Sequence, residues 1–298
     1  MAQAVKRFDI PPRNSMPAGI AGGKQELWFT DFYNSRIGRI SPTGAVKTFK
    51  LPARERAPLQ IVIGPDKALW FTLGGNAIGR MTASGQTKLY YPRKSTKPMG
   101  IAVGHDGAIW FTEFGSASNT TSIGRITLKG EITEFRVPWL SGAPYGITAG
   151  PDGAIWFTDN SANLVARIDG KGRFKTFPLP DGRLPAGIVT GPDKALWFTE
   201  EAGGIGRLTV DGRLTEYRAG GVPDRITVGP DSALWFTQWG DGKVGRIATN
   251  GKVSEILLPR SNGAPLFTPY DITTGPDGSL WVTTDESTIF RVTPHKSP

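Results

Sequence analysis

The tripeptide Trp-Phe-Thr, or a near copy, recurs seven times in this 298-residue chain. Its tryptophans are Trp28, Trp70, Trp110, Trp156, Trp197, Trp235 and Trp281, spaced 42, 40, 46, 41, 38 and 46 residues apart. Only the last copy departs, reading Trp281-Val282-Thr283. A period near 42 built from strand-forming residues means one supersecondary unit repeated seven times. Function must then be sought where the copies disagree.

The fourth copy shows the unit most clearly. It reads Pro144-Tyr-Gly-Ile-Thr-Ala-Gly-Pro-Asp-Gly153, Ala154-Ile-Trp-Phe-Thr-Asp159, Leu164-Val-Ala-Arg-Ile168 and Arg173-Phe-Lys-Thr-Phe177. Four short β-rich runs separated by turn residues predict an antiparallel four-stranded sheet. In the Gly-Pro-Asp-Gly turn, Pro presets the backbone angle, Asp accepts from the local backbone and Gly takes the left-handed position. One such sheet cannot bury both faces, so the copies must stack, and the period fits the blades of a seven-bladed β-propeller, an all-β fold. The Trp and Phe rings of the second strands are expected between the blades.

The ends of the repeat predict closure. The seventh copy lacks a fourth strand, and residues 4–11, Ala4-Val-Lys-Arg-Phe-Asp-Ile-Pro11, resemble Ala45-Val-Lys-Thr-Phe-Lys-Leu-Pro52. The N-terminal strand is therefore expected to complete blade seven and leave no free sheet edge. The expectation is one complete domain over residues 1–298, with a short tail over 294–298.

Composition excludes more than it suggests. There is no cysteine, hence no disulfide framework or thiol chemistry. No apolar run approaches transmembrane length, so no membrane partner is expected. The N-terminus carries no apolar signal core, which predicts a cytoplasmic protein, or an exported one from which a signal peptide has been removed. Of the 35 cations behind the net charge of +9, seven are the third-strand arginines Arg39, Arg80, Arg125, Arg167, Arg207, Arg246 and Arg291, one per blade. That regularity points to a structural ion pair. The remainder is scattered apart from Arg93-Lys94 and Arg54-Glu-Arg56, and no basic helix or basic-aromatic motif supports nucleic-acid binding. A monomer is expected.

The start of strand one and the end of strand two share one mouth of the ring, and the sequence varies there. Both long loops fall at this mouth, Phe114–Ser122 and Pro259–Thr268, as do the two tryptophans outside the repeat, Trp139 and Trp239. Loops on a rigid scaffold are the usual place for binding residues. After the strand-one Pro, the residues around the ring are Ala18, Leu59, Met99, Tyr145, Ala186, Asp224 and Tyr270. The next position is Gly19, Gly100, Gly146 and Gly187 in four blades, as strands crowding an axis require. It is Gln60, Arg225 and Asp271 in the others. Asp224, Arg225, Tyr270 and Asp271 are thus predicted around the pore, with an Arg225–Asp271 ion pair as the structural alternative. The acids closing strand two, Asp31, Glu113, Asp159, Glu200, Glu201 and Asp285, are expected to line the same mouth.

The Pro-x-Gly-Ile-Thr-x-Gly-Pro-Asp-Gly, Leu-Trp-Phe-Thr-Glu and Ile-Gly-Arg-Ile elements resemble the streptogramin B (virginiamycin B) lyase family over essentially the whole chain. The resemblance implies a seven-bladed propeller that linearises a cyclic depsipeptide antibiotic by elimination at its ester bond, using Mg²⁺. It also implies a catalytic cluster on the last two blades. Asp224 stands where the family has a His, Thr268 where it has a Glu, and Tyr270 where it has the general-base His. Asp285 matches a further Glu, carboxylate for carboxylate, and is the best metal candidate. The catalytic positions implied are therefore Tyr270, Asp224 and Asp285. Elimination needs a base near neutral pKa, which His supplies most easily. The chain's two histidines, His105 in a turn at the other mouth and His295 in the tail, do not fall at these positions.

The residues thus predict a propeller that binds a small or cyclic ligand (peptide, ester or glycan-like) at this mouth without streptogramin lyase activity. Tyr145, Trp239, Tyr270, Phe267 and Trp139 are the candidate stacking surfaces. Arg225, Asp271, Asp224, Glu113 and Glu200 are the candidate polar contacts. A divergent, metal-assisted lyase or hydrolase of a cyclic ester or lactone is the alternative, and a protein-interaction scaffold a third.

Overall fold

A computed structural model describes residues 4–52, 57–92, 96–115, 121–139, 142–259 and 267–294. The middle of the blade-three insert, most of the connection between blades six and seven, Arg54, Arg56, Arg93, Lys94, and His295 with the tail lie outside the described residues. The described strands form seven four-stranded antiparallel sheets, each with its strands in chain order. The exception is the last, in which the N-terminal strand Ala4–Asp9 pairs with Thr288–Thr293. Val5 opposes Val292 and Phe8 opposes Ile289, so the first and last segments complete blade seven together. No helix among the described residues is long and apolar enough to cross a membrane.

The core lies between the blades. Each of seven buried clusters combines the Trp face of one blade with the Phe face of the next, as in Trp110 with Phe157, Trp156 with Phe198, and Trp281 with Phe29. Side chains alternate along a strand, so adjacent Trp and Phe serve opposite faces. In blade seven Val282 replaces the Phe and packs against Trp235. The fourth strand adds a ring to the same stack: Phe8 lies 5.2 Å from Trp281 and Tyr217 lies 5.6 Å from Trp197. That ring also covers the tight turn of the next blade. A Cβ on Gly44, whose φ is +102°, would collide with Phe8.

The mouth opposite the variable one is built by a repeated triad. Six turn aspartates accept from the indole Nε1 of their own blade's Trp, for example Asp152 from Trp156 at 2.9 Å and Asp193 from Trp197 at 2.9 Å. The same carboxylates pair with the third-strand arginines, Arg80 with Asp66 and Arg207 with Asp193 at 2.7 Å. Blade one lacks the turn aspartate, and Arg39 pairs with Glu26 instead at 3.0 Å. Burial raises the carboxyl pKa of Asp66, Asp106, Asp152, Asp193 and Asp231, but the Arg and Trp hydrogen bonds overcome it and hold all five below the usual value. His105 takes its place at this mouth, with Nε2 2.8 Å from the Gly150 carbonyl.

Candidate functional site

Every strand one carries a register shift after its Pro, for example between Pro223 and Ile226 and between Pro269 and Ile272. A bulge re-aims side chains next to the sheet, and here it frees the two residues that vary around the ring. The Thr of Trp-Phe-Thr holds each bulge. Its hydroxyl accepts from the second residue after Pro, as Thr199 does from Gly187 at 2.8 Å and Thr237 from Arg225 at 3.0 Å. At six junctions it also donates to the first-residue carbonyl of the next blade. Thr112 donates to Tyr145 at 3.0 Å, Thr283 to Ala18 at 2.6 Å, and Thr199 to Asp224. Among the described bonds the junction without this link is blade six to blade seven, where Arg225 stands. A Cβ at Gly187 would lie 2.5 Å from the Asp224 carbonyl oxygen, so the glycines at this position let neighbouring strands touch.

Arg225 projects from its bulge into the central channel and reaches past blade five, where Ala186 and Gly187 leave room. Its guanidinium lies 4.2 Å from the ring centroid of Tyr145 on blade four. Burial opposes its charge, but Tyr145, Asp224, Asp271 and Tyr270 together push its pKa up, so it is a permanent cation. Its Nε is 3.9 Å from Asp224 Oδ1, and both atoms are buried without a hydrogen-bond partner. Burial pushes the Asp224 carboxyl up, against the pull of Arg225 and of the neighbouring Tyr145 hydroxyl.

Asp271 does a different job from the one the sequence suggested. Its Oδ2 accepts from Ile20 N of blade one and its Oδ1 from Ile272 N, both at 2.9 Å. It therefore ties the closing blade to the first, and no Arg225–Asp271 contact occurs within salt-bridge distance among the described pairs. Burial is the main reason its pKa is pushed up to about 6.

Tyr270 is half-buried beside Asp224. Burial first, then the charges of Asp224 and Asp285 and the neighbouring Tyr33, raise its hydroxyl pKa. Asp285 is exposed, with Oδ1 accepting from Thr268 N at 2.8 Å. Glu201 joins the same group. Its carboxyl is raised by burial and by Asp224, while Asn160 Nδ2 donates to it at 3.1 Å. The structure thus brings Asp224, Arg225, Tyr145, Tyr270 and Asp285 together, with Tyr33 and Glu201 beside them. Trp239 stands on the rim, 53% exposed.

The other candidates turn inward. Asp31, Glu113, Asp159 and Glu200 are buried, because the residue closing strand two shares the Phe face that packs on the preceding blade. Arg36 and Met16 N bind Asp31, and Thr96 Oγ1 donates to Glu113 at 2.9 Å. Trp139, the extra tryptophan, donates to Asp159 at 2.8 Å and stacks on Phe157, so it is part of loop packing. Phe267 is 2% exposed and stacks on Phe290, which leaves it no face for a ligand. Glu200 lies by a separate cleft on blade five with Arg183 and Glu216, and burial followed by the Glu216 charge pushes it up to about 7. Tyr33 is a member of the Tyr270 group that the repeat pattern alone does not mark. Its signal was an aromatic residue on a strand-two-to-three loop, which must open at this mouth.

Mg²⁺ characteristically takes one or two carboxylates and keeps several waters. Among the described residues no group of three or more His, Cys, Asp or Glu side chains is arranged to hold a metal ion. Asp224 is buried beside a permanent cation and Asp285 is engaged by a backbone N–H.

Seven stacked blades with a polar and aromatic cluster at one mouth define a propeller whose site sits on its inner strands. The chain belongs to the virginiamycin B lyase family, whose profile matches residues 1–118 and 75–292. Among solved structures, a streptogramin B lyase is 33% identical with a TM-score of 0.90, covering 97% of each chain. A catalytically inactive histidine-to-alanine variant of virginiamycin B lyase from Staphylococcus aureus, with quinupristin, is 32% identical with a TM-score of 0.91, covering 99% of this chain and 100% of that one. The WD40 propeller domain of Doa1, at 9% identity and a TM-score of 0.80, shares the fold alone. No curated protein matches the chain.

Proposed function

We propose that this protein binds a small or cyclic ligand, peptide-, ester- or glycan-like, at the variable mouth and does not linearise streptogramin B. The carrying observation is the state of Tyr270, at the position where the family resemblance puts the general base: its hydroxyl pKa is raised, whereas a base near neutral pH would need it lowered by roughly three units. Asp271 has a near-neutral carboxyl, but both its oxygens are taken by backbone N–H groups. In the relative from S. aureus one histidine-to-alanine change is enough to inactivate the enzyme. His105 lies at the opposite mouth here. The mixed apolar and polar mouth suits ligand recognition. Calorimetry with a streptogramin B tests the reading: binding to the wild type, lost in Tyr270→Ala with the fold intact, is expected. Binding undiminished by this substitution would put the ligand elsewhere.

A second reading rests on Asp224. A buried carboxyl with a raised pKa and one unpartnered oxygen is a competent proton acceptor. On that reading the protein is a divergent lyase or hydrolase of cyclic esters, and Asp224→Asn removes turnover of a lactone panel while leaving binding in place.

A further inference from the structure

A small pocket lies on the propeller axis, lined by Gly100, Gly146, Gly187, Arg225 and Asp271. Its volume is about 130 Å³, below the few hundred Å³ of an ordinary ligand pocket. A cleft of about 870 Å³ opens instead at the seam where blades seven and one close the ring. That is the size of an ordinary ligand pocket. Asp285 and Tyr33 line this cleft, and both lie close enough to Tyr270 to act on it electrostatically.

The cleft wall is the segment from Ile10 to Ser15, and it is held in place. Ile10 N donates to Ser287 O at 2.7 Å, Ser287 Oγ donates to Ser15 O at 2.7 Å, and Arg36 donates to Pro11 O at 3.0 Å. A wall fixed before binding costs little ordering when a ligand arrives. Its chemistry is specific. Pro11, Pro12 and the ring of Tyr33, 66% exposed and edge-on to Phe32 at 5.5 Å, give an apolar surface for a flat group. The ionic groups nearly cancel: Asp9, Asp285 and Glu286 stand against Arg7 and Arg13, with Arg7 and Asp9 paired at 2.9 Å. A polyanion or polycation gains nothing from such a balance. An uncharged aromatic group, for which Pro11, Pro12 and Tyr33 offer apolar contact, is not opposed by it.

We propose that the cleft between blades seven and one is an aromatic-arm subsite, and that the ligand lies off the propeller axis with its polar part at Asp224, Tyr270 and Asp285. The position of the polar part rests on the function proposed above, whereas the aromatic subsite stands independently and is tested alone.

The probe is N-acetyl-tryptophanamide, an uncharged aromatic amide, observed by saturation-transfer NMR on the full chain. Transfer to the indole ring is expected with wild type, retained in Tyr33→Phe, Trp239→Ala and Tyr270→Ala, and weakened roughly fivefold in Tyr33→Ala. Unchanged thermal unfolding of Tyr33→Ala, expected for so exposed a side chain, confirms that the fold is kept. No transfer with wild type, or transfer indifferent to Tyr33→Ala, overturns the subsite. Retention in Tyr270→Ala with loss in Tyr33→Ala supports the cleft even where streptogramin binding fails, so the two proposals fall separately.

Discussion

The two mouths of the ring use the same residue type in opposite ways. At the repeated mouth five turn aspartates are each held by Trp Nε1, by a backbone N–H and by Arg, and their carboxyls are pulled below their ordinary pKa. At the variable mouth Asp224, Asp271 and Glu201 are pushed up, mainly by burial, and Asp224 Oδ1 and Arg225 Nε are left without partners. The first arrangement is what stability selects. The second costs stability, and proteins keep such costs at sites of function.

Substitutions should break the repeated mouth and spare the variable one. Trp197→Ala empties one interblade core and is expected to cost about 3–5 kcal/mol in urea unfolding. Asp193→Ala, which orphans Trp197 Nε1 and Arg207, should cost about 2 kcal/mol. Asp224→Asn is the sharp contrast. Burial outweighs the pull of Arg225 on this carboxyl, so the fold prefers its neutral form, and a neutral isostere should leave the unfolding midpoint at pH 7 level or raise it. A loss equal to that of Asp193→Ala would erase the distinction between the two mouths.

The pH dependence carries the same contrast at smaller amplitude. Glu200 is raised from 4.5 to about 7, so its protonated form is the one the fold prefers. Its stabilisation is complete below about pH 4.5 and is lost as pH rises through about 7. Asp66, Asp106, Asp152, Asp193 and Asp231, whose pKa values are lowered, contribute above their unfolded value of 3.8 and lose that contribution as pH falls. Glu200→Gln should therefore raise the melting temperature at pH 8 and leave it nearly unchanged at pH 4.5. An equal gain at both pH values would mean that Glu200 does not titrate in this window.

Much of this was legible in the sequence because repetition makes every copy a control for the others. Seven tryptophans located the blades, the Ala4–Pro11 match located the closure, and one Arg per blade announced the ion pairs. The departures at Asp224, Arg225 and Tyr270 pointed to the seam of blades six and seven, and the structure gathers them there. What a linear pattern does not carry is the direction of a side chain at the end of a strand. Asp31, Glu113, Asp159 and Phe267 stand at the right end of their blades but face the neighbouring blade. Trp139 looked surplus until Asp159 supplied its hydrogen bond. The strand-one bulge, held by the Thr of the repeat, was hidden because a register shift leaves no mark on composition.

The central claim is that this family member keeps the propeller and its mouth without the elimination chemistry. Its most direct test incubates the protein with a streptogramin B and Mg²⁺ and separates the products by chromatography with mass detection. Elimination opens the ring without changing the mass, so the reaction appears as a new peak at the same mass. The account predicts that the cyclic peptide is recovered intact at every protein concentration. A linear isomer accumulating in proportion to the protein, and absent with Asp224→Asn, would contradict it.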